Sequence, residues 1–228
     1  MKKILSLTTV ILLFSFVENN AQIKQDLPPD FVYLTDYISD LKLDLRYAKT
    51  NNFVGRKIKG YDNEVCIVTR ECAQQLKRLN DDLKQYDLTI LIYDAYRPQK
   101  AVYDFVLWAR DANDKKMKDS FYPKIPKKDL FKRGFIATRS RHSSGSTVDI
   151  TLYSLKHNEV LDMGGTYDYF GAKSFTTYAN ITKEQKANRL FLLRMMQKYG
   201  FRSYYKEWWH FTLRKEPYEN HYFNFNVK

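Results

Sequence analysis

The sequence predicts an α+β fold, a single domain built on a mainly antiparallel sheet packed by helices. Two observations predict it. Short segments alternate apolar and polar residues or run wholly apolar, as strands do, while others carry apolar residues at a 3.6-residue period. The two kinds do not follow one another in a regular βαβ order, which argues against a parallel doubly wound sheet.

Taken in order, Leu41, Leu43, Leu45 and Tyr47 alternate with Lys42, Asp44 and Arg46, the pattern of a half-buried strand. Thr69 to Tyr86 reads as a helix with Ala73, Leu76, Leu79 and Leu83 on one stripe. Leu88 to Tyr93 is a short apolar run, a buried strand. Pro98 suits the first turn of a helix reaching about Ala112, with Val102, Phe105 and Ala109 inward. Asn113 to Arg133 is basic and carries Pro123 and Pro126, so it reads as a surface excursion. Thr147 to Leu152 alternates again and predicts a strand. Thr182 and Gln185 form a capping box, and Gly200 is a natural stop for the helix that follows. Trp208 to Leu213 is aromatic and β-branched, the last strand.

At 228 residues the chain is long enough for a substantial core. A mean hydropathy of −0.56 excludes a polytopic membrane protein. The 16% aromatic content, with 18 Tyr, argues against disorder. The formal charge of +12 permits contact with anionic polymers, yet a solvated basic surface accounts for it equally well. Lys2 and Lys3 precede an apolar run from Ile4 to Val17, and Ala21 is a plausible cut site. Residues 1–21 are therefore expected to be a signal peptide, and 22–228 the exported domain, in a periplasm or outside the cell, with no stable membrane insertion after cleavage. That signal speaks against nucleic acid as a partner. Cys66 and Cys72 either bridge a small loop or are two buried thiols; their spacing leaves both open.

The chemistry concentrates in two places. Ser140-Arg141-His142-Ser143-Ser144-Gly145-Ser146-Thr147-Val148-Asp149 runs from a Ser/Gly-rich loop into a strand, with Asp149 opposite Val148 and Ile150. Glu207-Trp208-Trp209-His210 introduces the last strand. Two His and a carboxylate with an open fourth position make a catalytic zinc set, and a free Glu beside it is a usual base. The alternatives are a loop His at 142 and a core His at 210. A tension is visible as well. Glu207 and His210 have opposite strand parity, so Glu207 must precede the strand or sit at a bulge if both serve one metal.

These motifs resemble those of the D-alanyl-D-alanine dipeptidases, a branch of the M15 zinc peptidases. The Ser-x-His-x-x-Gly-x-(small)-x-Asp pattern is met by Ser140, His142, Gly145, Thr147 and Asp149, with Thr147 where Ala is more usual. Glu207 and His210 meet Glu-x-x-His. Asp94-Ala95-Tyr96-Arg97-Pro98 meets the branch's Asp-x-Tyr-Arg-Pro. Leu45 to Ala48 with Asn52-Phe53, and Asp162 to Gly164 with Asp168 to Gly171, also look like this branch, so the likeness runs from about Asp44 to Phe211.

The resemblance implies one zinc ion at the sheet face, held by His142, Asp149 and His210. It implies Glu207 as the base and Arg97 as the oxyanion stabiliser. Tyr47 and Asp168 match positions that hold the substrate ammonium, and Ser140 one that meets the substrate carboxylate. The implied activity is hydrolysis of the D-Ala-D-Ala dipeptide in cell-wall turnover; the rival is a carboxypeptidase or endopeptidase on longer peptidoglycan stems. Each outer residue has a purely structural alternative. Arg97 can pair with Asp94, Tyr47 can extend the Leu41–Leu45 face, Asp168 can serve a turn, and Ser140 can cap its own loop.

Overall fold

A computed structural model describes residues 25–228; the expected signal peptide lies outside them. Among these residues the central sheet is built from β2 (Lys42–Leu43), β4 (Leu88–Asp94), β5 (Thr147–Ser154), β7 (Phe201–Tyr204) and β8 (Glu207–Leu213). The strand order is β2-β4-β5-β8-β7, and a short β6 (Glu159–Val160) pairs with the far end of β5. Only β2–β4 is parallel; the other pairs are antiparallel, as expected. A separate antiparallel pair joins β1 (Phe31–Tyr33) to β3 (Ile67–Thr69).

β3 runs straight into α1 (Arg70–Leu83), where Thr69 accepts a hydrogen bond from the Cys72 amide and so caps the first turn. The stripe of Ala73, Leu76, Leu79 and Leu83 is fully buried, as its period requires. Cys66 and Cys72 are buried free thiols. α2 (Gln99–Arg110) begins just after Pro98, whose extended backbone makes it the cap rather than the first helical residue. α4 (Lys183–Lys198) starts on the Thr182/Gln185 capping box. It stops where Gly200 takes φ +85°, a left-handed conformation that glycine adopts without Cβ strain.

Two expectations need correction. The predicted strand over Leu41–Tyr47 is only Lys42–Leu43; Arg46–Ala48 is a 3-10 turn. The Asn52 side-chain amide enforces the turn by donating to the carbonyls of Arg46, Lys49 and Arg56. The stretch Asn113–Arg133 is no mere surface excursion. It contains α3 (Lys118–Phe121) and buries Phe121, Tyr122, Ile125 and Leu130. Lys127 is buried too, its Nζ donating to the carbonyls of Trp108 and Asp111 at the end of α2, where a cation suits the helix dipole.

Candidate active site

Three adjacent strands carry acidic or imidazole side chains at matched positions. Asp94 at the end of β4 pairs in register with Asp149 on β5, and Asp149 pairs with His210 on β8. His142 arrives from a 3-10 turn, Arg141–Ser144, that precedes β5. Ser140 caps that turn by accepting from the His142 amide at 3.3 Å. Gly145 ends it at φ +82°, and a Cβ there would lie 2.3 Å from Phe31, which accounts for the glycine in the motif. Thr147, the departure from the usual small residue, places its hydroxyl 2.8 Å from that of Thr212 across the ladder, so its buried oxygen is satisfied.

The loops bearing His142 and Arg97 are tied together. The Arg97 amide donates to the His142 carbonyl, and Ser143 Oγ donates to the Arg97 carbonyl at 2.7 Å. The C-terminal tail fastens both: the Phe223 amide donates to Ser143, and the Phe223 carbonyl accepts from Gln99.

His142 donates from Nδ1 to the Ala95 carbonyl at 2.7 Å, which leaves Nε2 as the lone-pair nitrogen. That nitrogen is 3.3 Å from Asp149 Oδ1 and 3.3 Å from His210 Nδ1. Asp149 Oδ1 and His210 Nδ1 are 3.0 Å apart. A tetrahedral zinc with bonds of about 2.0–2.1 Å has ligand–ligand edges of about 3.3 Å, so this triangle matches one face of such a site. Among the described residues this is the group of His, Cys, Asp or Glu that meets the spacing of a metal site. Burial holds His142 below its ordinary pKa, hence neutral, as a ligand nitrogen must be. Burial opposes the charge on Asp149, but the two imidazoles outweigh it and hold its carboxyl well below the usual range.

Glu207 Oε2 lies 3.4 Å from His210 Nδ1. The parity conflict disappears because the β7–β8 ladder slips: Ser203 faces Phe211, yet Tyr204 faces Glu207, so residues 208–210 have no partner in β7. Burial pushes the Glu207 carboxyl up to about 7, with His210 working against the rise.

Arg97 donates from Nε to Asp94 at 2.8 Å, and its Nη2 reaches the same oxygen at 2.8 Å and Asp149 at 3.5 Å. Tyr61 holds the other Asp94 oxygen at 2.6 Å. The pairing of Arg97 with Asp94 thus holds the guanidinium beside Asp149. Tyr47 donates to Asp168 Oδ2 at 2.9 Å. Asp168 sits at φ +60°, an unusual backbone for a non-glycine residue, and both side chains are buried. Burial, reinforced by the charge of Asp149, raises Asp168 well above the ordinary carboxylate range.

Tyr47, Arg97, Ser140, His142, Asp149, Asp168, Glu207 and His210 all line one cleft of about 270 Å³. Phe53, Phe105 and Phe170 supply apolar wall. Trp208 and Trp209 are core residues and do not border this cleft, and His157 and His221 are exposed. Sequence reasoning missed Tyr61 and Tyr167, which belong to no spaced motif, and the Ala95 carbonyl, which sits at the unspecified position of Asp-x-Tyr-Arg-Pro; Tyr167 donates its hydroxyl proton to Asp149 Oδ2 at 2.9 Å.

The Peptidase M15 family model, described as D-ala-D-ala dipeptidase, matches residues 29–228. The D-alanyl-D-alanine dipeptidase of Enterococcus faecium is 35% identical over 198 residues, 87% of this chain and 98% of that protein. The enzyme of the same name from Streptomyces coelicolor is 36% identical over 198 residues, again 87% and 98%. That of Escherichia coli is 29% identical over 184 residues, 81% of this chain and 84% of the relative.

Proposed function

The chain belongs to the D-alanyl-D-alanine dipeptidase family of M15 peptidases, and on that premise we propose that it is a zinc enzyme that splits free D-Ala-D-Ala into two D-alanines. The observation that carries the reading is the convergence of His142, Asp149, His210, Glu207, Arg97 and Asp168 on one cleft. We also read residues 1–21 as an export signal, which would put the reaction outside the cytoplasm, in turnover of cell-wall precursors or fragments.

His142 Nε2, Asp149 Oδ1 and His210 Nδ1 would hold the ion. Zinc, when bound, supplies a Lewis acid that polarises the scissile carbonyl and lowers the pKa of water. Glu207 takes the proton of the attacking water and passes it to the leaving amine; a carboxyl near 7 can do both at neutral pH. Arg97, locked by Asp94, meets the negative charge that develops on the carbonyl oxygen. Asp168 with Tyr47 receives the substrate ammonium, and Ser140, on the same cleft, would donate to the substrate carboxylate.

The test is D-alanine release from D-Ala-D-Ala. Chelation should abolish it and one equivalent of zinc per chain should restore it; hydrolysis undiminished after exhaustive chelation contradicts the proposal. Arg97→Ala should lower kcat by about 100-fold with KM within a few fold, because the lost charge acts on the transition state. An effect confined to KM would make Arg97 a ground-state binder instead.

A further inference from the structure

Tyr167 takes no part in the chemistry above, yet it touches the centre of the site. We propose that its hydroxyl is a positioning group that occupies one oxygen of Asp149, leaving Oδ1 as the oxygen free for the metal. The proposal rests on the zinc-dipeptidase reading and refines it.

The two oxygens of Asp149 have different surroundings. Oδ1 faces the imidazoles, 3.0 Å from His210 Nδ1 and 3.3 Å from His142 Nε2. Oδ2 faces away from them, accepting from the Tyr167 hydroxyl at 2.9 Å, with Arg97 Nη2 at 3.5 Å. A carboxylate whose second oxygen is already engaged offers the metal one ligand atom rather than two. That preserves an open position for substrate and water.

The phenol is well placed to hold this bond. Tyr167 is buried, its ring stacked on Tyr93 at 4.6 Å between centroids and edge-on to Trp209 at 5.4 Å. Tyr93, Tyr167 and Trp209 each directly precede a site residue, Asp94, Asp168 and His210. The Tyr167 oxygen is also 3.2 Å from the Tyr47 hydroxyl, which gives its own proton to Asp168. A phenol has one proton to donate. With the Tyr47 proton committed to Asp168, the Tyr167 proton has Asp149 as its charged acceptor, and a hydrogen bond to a charged group is the stronger choice.

Tyr167→Phe tests this, since it removes one oxygen and leaves the ring packing. Two properties are measured on the whole protein: zinc affinity by competition with a chromophoric chelator, and the visible spectrum of the cobalt-substituted form. The expected results are zinc binding weakened by about 10-fold or more and cobalt bands reduced in intensity as Asp149 swings toward two-oxygen coordination. Tyr47→Phe, which deletes a hydroxyl one step further out, should leave zinc affinity within about twofold. Zinc affinity or a cobalt spectrum unchanged in Tyr167→Phe would overturn the proposal, as would equal weakening in both variants, which signals general loosening. His142→Ala separates the levels. If it loses zinc while Tyr167→Phe does not, only the role of Tyr167 fails. If it retains zinc at full affinity, the site reading itself fails.

Discussion

Glu207→Ala is expected to purify with its zinc and to lose on the order of 1,000-fold or more in kcat. The two halves of that result have separate causes. The metal-facing atoms are His142 Nε2, Asp149 Oδ1 and His210 Nδ1, and their mutual contacts of 3.0–3.3 Å do not involve Glu207. Removing its carboxylate therefore leaves the donor triangle standing. What goes is the group proposed to receive the proton of the attacking water and hand it to the amine. Among the described residues, nothing else bordering the cleft combines a carboxylate beside His210 with a pKa pushed up to about 7. Zinc content and kcat measured on the same preparation check both halves. Near-normal turnover would remove Glu207 from the mechanism, and loss of zinc would make it a ligand.

Much of this site was legible in the sequence because its residues sit in short motifs. The loop-into-strand passage from Ser140 to Asp149 folds as its pattern predicts, and the glycine at 145 is explained by the Phe31 ring beside it. The helical stripes also fell where a 3.6-residue period puts them. The misreadings share a physical origin, in hydrogen bonds between segments that have no periodic signature. Asn52 folds Arg46–Ala48 into a turn and so brings Tyr47 to the cleft from what reads as a strand. Lys127 caps α2 from inside a stretch whose charge and prolines suggest pure surface. The parity of Glu207 and His210 pointed to a bulge, but only the β7–β8 register shows where the ladder slips. Tyr167 had no signal at all, because a buried tyrosine reads as core until its hydroxyl is seen against Asp149.

The second large effect concerns the charge of the substrate. Asp168 and Tyr47 border the cleft with buried side chains, and Phe53 backs the Tyr47 ring at 6.0 Å. A substrate whose free ammonium reaches Asp168 supplies the cation that a buried carboxylate needs to ionise. An N-acetylated dipeptide brings no ammonium to pair with Asp168. A hydrogen bond to a charged group contributes about 1.5–3 kcal/mol, and each 1.4 kcal/mol is tenfold. Discrimination of about 10- to 100-fold in favour of the free dipeptide is expected. Asp168→Asn keeps the shape and removes the charge, so it should slow the free dipeptide and narrow the gap between the two substrates.

The measurement is therefore kcat/KM of the zinc-loaded wild-type protein on D-Ala-D-Ala and on N-acetyl-D-Ala-D-Ala, side by side. Ready cleavage of the free dipeptide and little or none of the acetylated one are expected. Comparable values for the pair would contradict the dipeptidase reading and point to a carboxypeptidase acting on longer stems.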